Sequence, residues 1–293
     1  MDATSQGPTA AAASAGHPEH TADLLRRSAA RSARIMQAVM PAQTEPRYYA
    51  IMGALAEADA ISQKDLADRL NINRTVMVKL IDRLEAAGFV VRSRNPGDRR
   101  SYVLTLTDPG RRARDLMGPA IARGEAELGA PLTVEEKRRI NELLGRLIPD
   151  LDASLPHPAH RRTGYLLTQA DLRTRRRLEQ ALAAVDLAPR HFSALTALDL
   201  VGPCPQQQLA QHLGVAETAM VLTVDELQER GLVERDRDAH DRRRYALVLT
   251  EAGEHKLRDA RKAVDALDAE IAGQLGVADD TELRTLLAKL AED

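Results

Sequence analysis

The chain has 293 residues, a formal charge of −2, an apolar fraction of 44% and one cysteine, Cys204. That length suits two domains with their own cores. The near-neutral balance means that any basic surface must come from local clustering. A lone cysteine excludes an internal disulfide framework and fits a reducing compartment. No apolar run could span a bilayer, no His/Cys cluster has zinc spacing, and the start lacks a basic, apolar, cleavable pattern. These features predict a cytoplasmic protein with no cofactor and no membrane partner.

Residues 1–20 are Ala, Thr, Ser, Gly and Pro with few large apolar side chains, and predict a flexible tail. A helix is expected from Ala22 to just before Pro41. Pro46 opens a second, because a proline at the first helical position loses no hydrogen bond; Tyr49, Met52 and Leu55 should face inward. Ala58 to Ile61 reads as a turn. Ser62 can cap a short helix ending near Leu70, and Asn73 can cap the next, from Arg74 to Ala87. That second helix carries Met77, Leu80, Ile81 and Leu84 on one stripe, and Gly88 suits its left-handed end. This is a helix–turn–helix pattern.

Past Gly88 the period changes. Phe89 to Val91 lead through a polar, basic stretch to Tyr102, Leu104 and Leu106, which alternate as in a β-hairpin. A helix–turn–helix followed by such a hairpin predicts a winged helix. Helices follow from Pro109 to about Leu128 and, after the capping-box form of Thr133 and Glu136, through Ile140, Leu143, Leu144 and Leu147.

The same programme is then written again. Leu66 to Thr107 and Leu209 to Thr250 align without a gap at an offset of 143, with Met77/Met220, Asp82/Asp225, Leu84/Leu227, Gly88/Gly231, Asp98/Asp241, Arg99/Arg242, Tyr102/Tyr245 and Gly110/Gly253 in register. The offset also aligns Leu143/Leu286 and Leu147/Leu290, so repetition reaches the outer helices. A period this long means two copies of a whole domain rather than a solenoid. The expected division is a tail at 1–20, a first domain at 21–148, a proline-rich linker at 149–164 and a second domain at 165–293.

A helix ending in LxxxG, a wing carrying Asp-Arg-Arg and a strand closing on Leu-Thr-x-x-Gly resemble the MarR family of bacterial transcriptional regulators. Here the residues are Leu84 to Gly88, Asp98-Arg99-Arg100 and Leu106 to Gly110, then Leu227 to Gly231, Asp241-Arg242-Arg243 and Leu249 to Gly253. The resemblance implies a mainly α fold with small β-wings, in which tandem winged helix–turn–helix domains form an intramolecular pseudo-dimer. It also implies a non-enzymatic, ligand-responsive repressor of promoter DNA. The family's interlocked first and last helices make a monomeric chain the expected state.

The resemblance places DNA contacts on the second helix of each motif and on the wing. The candidates are Asn73, Arg74, Thr75, Lys79, Arg83, Arg94, Arg99 and Arg100 in the first copy, with Thr218, Arg242 and Arg243 in the second. For the wing arginines the alternative is a solvated hairpin tip. Asp98 and Asp241 are expected to hold a neighbouring arginine, since phosphate would repel a carboxylate. Tyr48, Tyr49, His191 and Phe192 lie on the second helix of each copy, near where family ligands bind, and are candidates for an aromatic or phenolic effector; a core role is the competing reading. Cys204, between two prolines, lacks the position of the family's redox-sensing cysteine.

The copies differ in charge. Residues 63–112 hold eleven Lys/Arg and six Asp/Glu, a balance of +5, while 206–255 hold six and ten, a balance of −4. Arg74, Lys79 and Arg83 become Glu217, Leu222 and Glu226. Phosphate neutralisation carries much of DNA affinity, so the second copy should read DNA poorly through its helix. The rival reading is an interaction module whose winged helices have lost DNA binding.

Overall fold

The computed structural model describes residues 20–41, 44–58, 60–95, 98–149, 162–237 and 245–292, with backbone only at 98–101 and 237. The expected tail and the tips of both wings lie wholly or largely outside the described residues. Contacts divide the chain into two compact units, Thr21–Arg173 with Ala272–Asp293, and Thr174–Ile271 with Met1–His20.

The first unit contains α1 (Thr21–Val39), α2 (Pro46–Glu57), β1 (Ile61–Ser62), α3 (Gln63–Arg69), α4 (Arg74–Ala86), β2 (Val90–Asn95), β3 (Asp98–Leu106), α5 (Asp108–Leu128) and α6 (Val134–Arg146). It also takes in the start of α7 (Thr163–Ala184) and all of α12 (Val277–Ala291), the chain's last helix. Its core joins Ile51, Met52 and Leu55 of α2 to Leu66 of α3, Met77, Ile81 and Leu84 of α4, and Leu104 of the wing. Full burial of side chains of this size stabilises by roughly 1.5–3 kcal/mol each.

The local signals act where they were read. Ser62 Oγ accepts from Asp65 N at 3.0 Å, Asn73 Oδ1 accepts from Thr75 N at 2.9 Å, and Thr133 and Glu136 form a reciprocal capping box. Gly88 has φ +72°. Two differences have physical causes. Ile61, expected to end a turn, instead forms a short strand with the capping residue Ser62, because the two pair with Leu104 and Val103 of β3 as a third strand of the wing sheet. Helix α7 starts at Thr163, inside the expected linker, where an orphan donor of its first turn is met: the Gly164 N–H donates to Glu125 Oε1 at 3.2 Å, and Thr163 Oγ1 donates to Asn141 Oδ1 at 2.8 Å.

Helix α1 buries Leu24, Leu25, Ser28, Ala29, Ser32, Ile35 and Met36 along one face at three- and four-residue steps. Its small residues let α12 approach. Thr21 Oγ1 donates to Asp280 Oδ1 at 2.9 Å and Ser28 Oγ donates to the Leu287 carbonyl at 3.0 Å. Leu283, Leu286, Leu287 and Leu290 of α12 are buried.

The second unit holds the rest of α7, α8 (Pro189–Val201), α9 (Gln206–Leu213), α10 (Glu217–Glu229), β4 (Val233–Arg237), β5 (Tyr245–Leu249) and most of α11 (Glu251–Leu275). Its core repeats the first, with Leu195 and Leu198 against Leu209, Met220, Val224, Leu227 and Leu247. Buried Cys204 forms a bridge with Leu247, and burial pushes its thiol pKa up, which disfavours the reactive thiolate.

Candidate nucleic-acid interface

Helices α3 and α4 and the β2–β3 wing meet around Arg92. Its guanidinium donates to Asp82 Oδ1 at 2.6 Å, Glu85 Oε2 at 2.9 Å and Gln63 Oε1 at 3.2 Å, tying the wing to both helices. The second unit has the same strut: Arg235 donates to Asp225 at 3.3 Å and Gln206 at 3.2 Å. From sequence both arginines read only as basic residues of the wing, not as struts. Their matching partners at the 143 offset were the available signal.

A second latch closes the wing. Thr107 Oγ1 donates to the Gly88 carbonyl at 2.7 Å and accepts from Gly110 N at 3.1 Å; Thr250 does the same with Gly231 and Gly253 at 2.7 and 3.0 Å. A Cβ on Gly110 would lie 2.2 Å from the Phe89 carbonyl oxygen, and one on Gly253 2.0 Å from that of Leu232. The Leu-Thr-x-x-Gly motif therefore encodes a close strand-to-helix crossing.

On this frame α4 presents Arg74, Thr75, Val78, Lys79 and Asp82 to solvent. Arg74 is 68% exposed, and Asp68 stands 3.8 Å away. Asn73 spends its oxygen on the helix cap. Arg83 is differently placed: it bonds Glu45 at 2.9 Å, and its pKa is raised chiefly by a hydrogen bond with Tyr48. Arg94 is exposed on β2. A groove of about 780 Å³ runs between helix and wing, lined in part by Lys64, Val78, Arg92, Asn95 and Tyr102. The side chains of Asp98, Arg99 and Arg100, and all of Asp241, Arg242 and Arg243, lie outside the described residues.

The equivalent face of α10 carries Glu217, Thr218, Val221, Leu222 and Asp225, with Leu222 66% exposed. Ala216 offers no side-chain cap, and Glu217 accepts from Gln207 at 2.9 Å. Glu226 is tied to its own unit by Arg190 at 2.7 Å and His191 Nε2 at 2.5 Å. Those bonds, His191 first, hold its carboxyl below the usual range.

Tyr48 and His191 occupy equivalent positions and are buried, each tied to the helix that would read DNA. Phe192 is a half-buried core side chain. Tyr49 instead carries Arg162, whose guanidinium lies 4.5 Å from the ring centroid and donates to the phenol oxygen at 2.9 Å. Tyr165 packs against the same core; its hydroxyl is buried without a hydrogen-bond partner among the described residues, and burial pushes its pKa up to about 12. Nearby, burial also raises the Glu125 pKa, opposed by the Gly164 N–H and Arg162. Arg162 and Tyr165 fell at the edge of the expected linker and carried no motif.

A helix–turn–helix braced against a hairpin, with outward arginine and lysine, defines a winged-helix protein of the DNA-binding type. The sequence matches the MarR family over residues 43–101 and 185–244. A protein proposed to regulate transcription of the hcr operon in Thauera aromatica is 33% identical over 102 residues, spanning 35% of this chain and 61% of that one. A transcriptional repressor named CouR, solved on a 23-mer DNA duplex, is 34% identical, with 44% of this chain and 92% of that chain covered and a TM-score of 0.40. The PcaV regulator of Streptomyces coelicolor, solved with its natural ligand, is 27% identical, with 46% and 94% covered and a TM-score of 0.42. This chain belongs to the MarR family of transcriptional regulators, and it carries the family's domain twice. Its relatives are regulators rather than enzymes. Among the described residues no helix is long and apolar enough to cross a membrane.

Proposed function

We propose that the chain is a ligand-responsive repressor that binds promoter DNA as a single-chain pseudo-dimer with unequal halves. The copies are residues 21–148 and 165–293, joined by 149–164. One observation carries the reading: the two winged helices share the same struts and latches, yet α4 offers Arg74 and Lys79 where α10 offers Glu217 and Leu222. The first copy reads bases, through Asn73, Arg74, Thr75, Lys79 and Arg83 with wing residues Arg94, Arg99 and Arg100. The second contributes Thr218 and backbone contacts from wing residues Arg242 and Arg243, the wings being supported by Asp98 and Asp241. Packing of α12 against α1 supports pairing of the copies within one chain.

The effector in this reading is an aromatic acid or aryl thioester, held at Tyr49, Arg162 and Tyr165. Arg162 offers a cation beside an aromatic face, and Tyr165 offers a buried hydroxyl without a partner. CouR has been solved with p-coumaroyl-CoA, a ligand of this chemistry. Tyr48 and His191, tied to Arg83 and Glu226, would relay a shift of the second helix to the reading helix. Selection of genomic fragments by the purified protein, followed by binding across a salt series, tests the proposal. Salt-sensitive capture of promoter fragments is expected; no capture at low salt would favour an interaction module instead.

A further inference from the structure

Helices α6 and α12 are equivalent elements of the two copies, since Val134 and Val277 open them 143 residues apart. They also pack against each other, so each ion pair between them can be tested for its counterpart under exchange of the copies. Lys289 Nζ donates to Glu136 Oε1 at 2.5 Å. Exchange turns that pair into Arg146 and Asp279, which are also bonded. The two pairs are thus reciprocal, as across a two-fold axis.

A third pair behaves differently. Arg139 Nε donates to Glu282 Oε2 at 2.9 Å, and these residues are each other's counterparts. Exchange returns the same pair, so it lies on the local axis. The two reciprocal pairs would survive if two first copies or two second copies met. The axial pair would not: Arg139 would face a second Arg139, or Glu282 a second Glu282. Arg139 is also bonded to Glu142 at 2.9 Å and Asp279 at 2.5 Å, and its side chain is only 29% exposed.

We propose that Arg139 and Glu282 select the pairing partner: the first copy's α6 face accepts the α12 face of a second copy and disfavours another first copy. The partner this surface fits is an equivalent helix with a carboxylate on the axis. The selection matters because first copies are synthesised first, when neighbouring nascent chains offer only each other. The inference rests on the single-chain reading above and deepens it.

The test uses full-length chains carrying Arg139→Glu, Glu282→Arg or both. Thermal unfolding and sedimentation after refolding at high protein concentration are the readouts. Each single reversal should lower Tm by about 2–4 °C and raise the fraction of two-chain species, because like and unlike pairing then become equal on the axis. The double reversal should recover most of both effects. Additive Tm losses, or an unchanged two-chain fraction in the single variants, would overturn the proposal. If the unaltered chain sediments as a dimer, the single-chain reading fails, and the Tm cycle still decides whether the axial pair joins unlike copies.

Discussion

Replacing Arg74 or Lys79 with alanine should weaken operator binding far more than replacing Glu217. Arg74 is 68% exposed, and Asp68 at 3.8 Å is its one ion-pair partner among the described residues. A loose surface pair of that kind is worth about 0–1 kcal/mol, so little holds the guanidinium back from DNA. A lost base contact costs about 1–3 kcal/mol, and a tenfold loss in affinity is about 1.4 kcal/mol. Each variant should therefore lose about 5- to 150-fold. A lysine on phosphate adds a second signature, since its removal lowers the salt slope by about 1. Among the described residues Glu217 has only Gln207 as a local partner, so Glu217→Ala should leave binding unchanged or tighten it by removing repulsion. Footprinting and anisotropy on one operator, over a salt series, separate these effects. Unfolding midpoints of Arg74→Ala and Lys79→Ala should stay near that of the parent. Equal losses from changes in both helices would refute the asymmetric reading, and a larger loss from the second would reverse it.

Three other changes probe different parts of the molecule. Gly253→Ala, which forces a Cβ to within 2.0 Å of the Leu232 carbonyl oxygen, should destabilise by about 1–3 kcal/mol; an unchanged urea midpoint would show that the crossing relaxes freely. On the effector proposal above, titration with an aryl thioester should give one site per chain, because the counterparts of Tyr49 and Tyr165 at the 143 offset are Phe192 and Ala22. Arg162→Ala should lose that binding while keeping DNA affinity, and two equal sites would count against the assignment. Glu136 has its carboxyl pKa lowered from 4.5 to about 2, first by Lys289 and then by the Thr133 N–H. A depressed carboxylate contributes stability that is present above its unfolded pKa and lost as pH falls through the folded one. Lys289→Ala should therefore flatten stability against pH between about 4.5 and 2, and an unaltered acid-unfolding curve would contradict this.

What could be read from sequence was local. Ser62, Asn73 and Thr133 cap helices through bonds two or three residues away, so their spacing announces them. Gly88 and Gly110 were legible as motif positions, although the Phe89 carbonyl that forbids a Cβ at Gly110 was not. What escaped depends on partners distant in sequence. The β1 strand exists only because β3 lies beside it. Arg92 looked like one more wing arginine until Gln63, Asp82 and Glu85 closed around it. Tyr48 and His191 were candidates for ligand contact, and nothing local pointed to Arg83 and Glu226 as their partners. The axial pair needed both the offset and the helix packing.

The offset also sorts residues by what holds them in place. Side chains that brace their own unit keep their chemistry across copies, as with Arg92 and Arg235 or Thr107 and Thr250. One inward contact changes at both ends. Tyr48 with Arg83 becomes His191 with Glu226, and the outer support passes from Glu45 to Arg190. A carboxylate at position 83 alone would face Glu45, so the charge reversal requires its partners to follow. Outward residues show no such coupling. Lys79 becomes Leu222 with its 66% exposed side chain, a change that no packing demands. In a homodimer that substitution would strip both reading helices at once. Two copies in one chain let one helix lose its cation while the other keeps the charge on which phosphate contact depends.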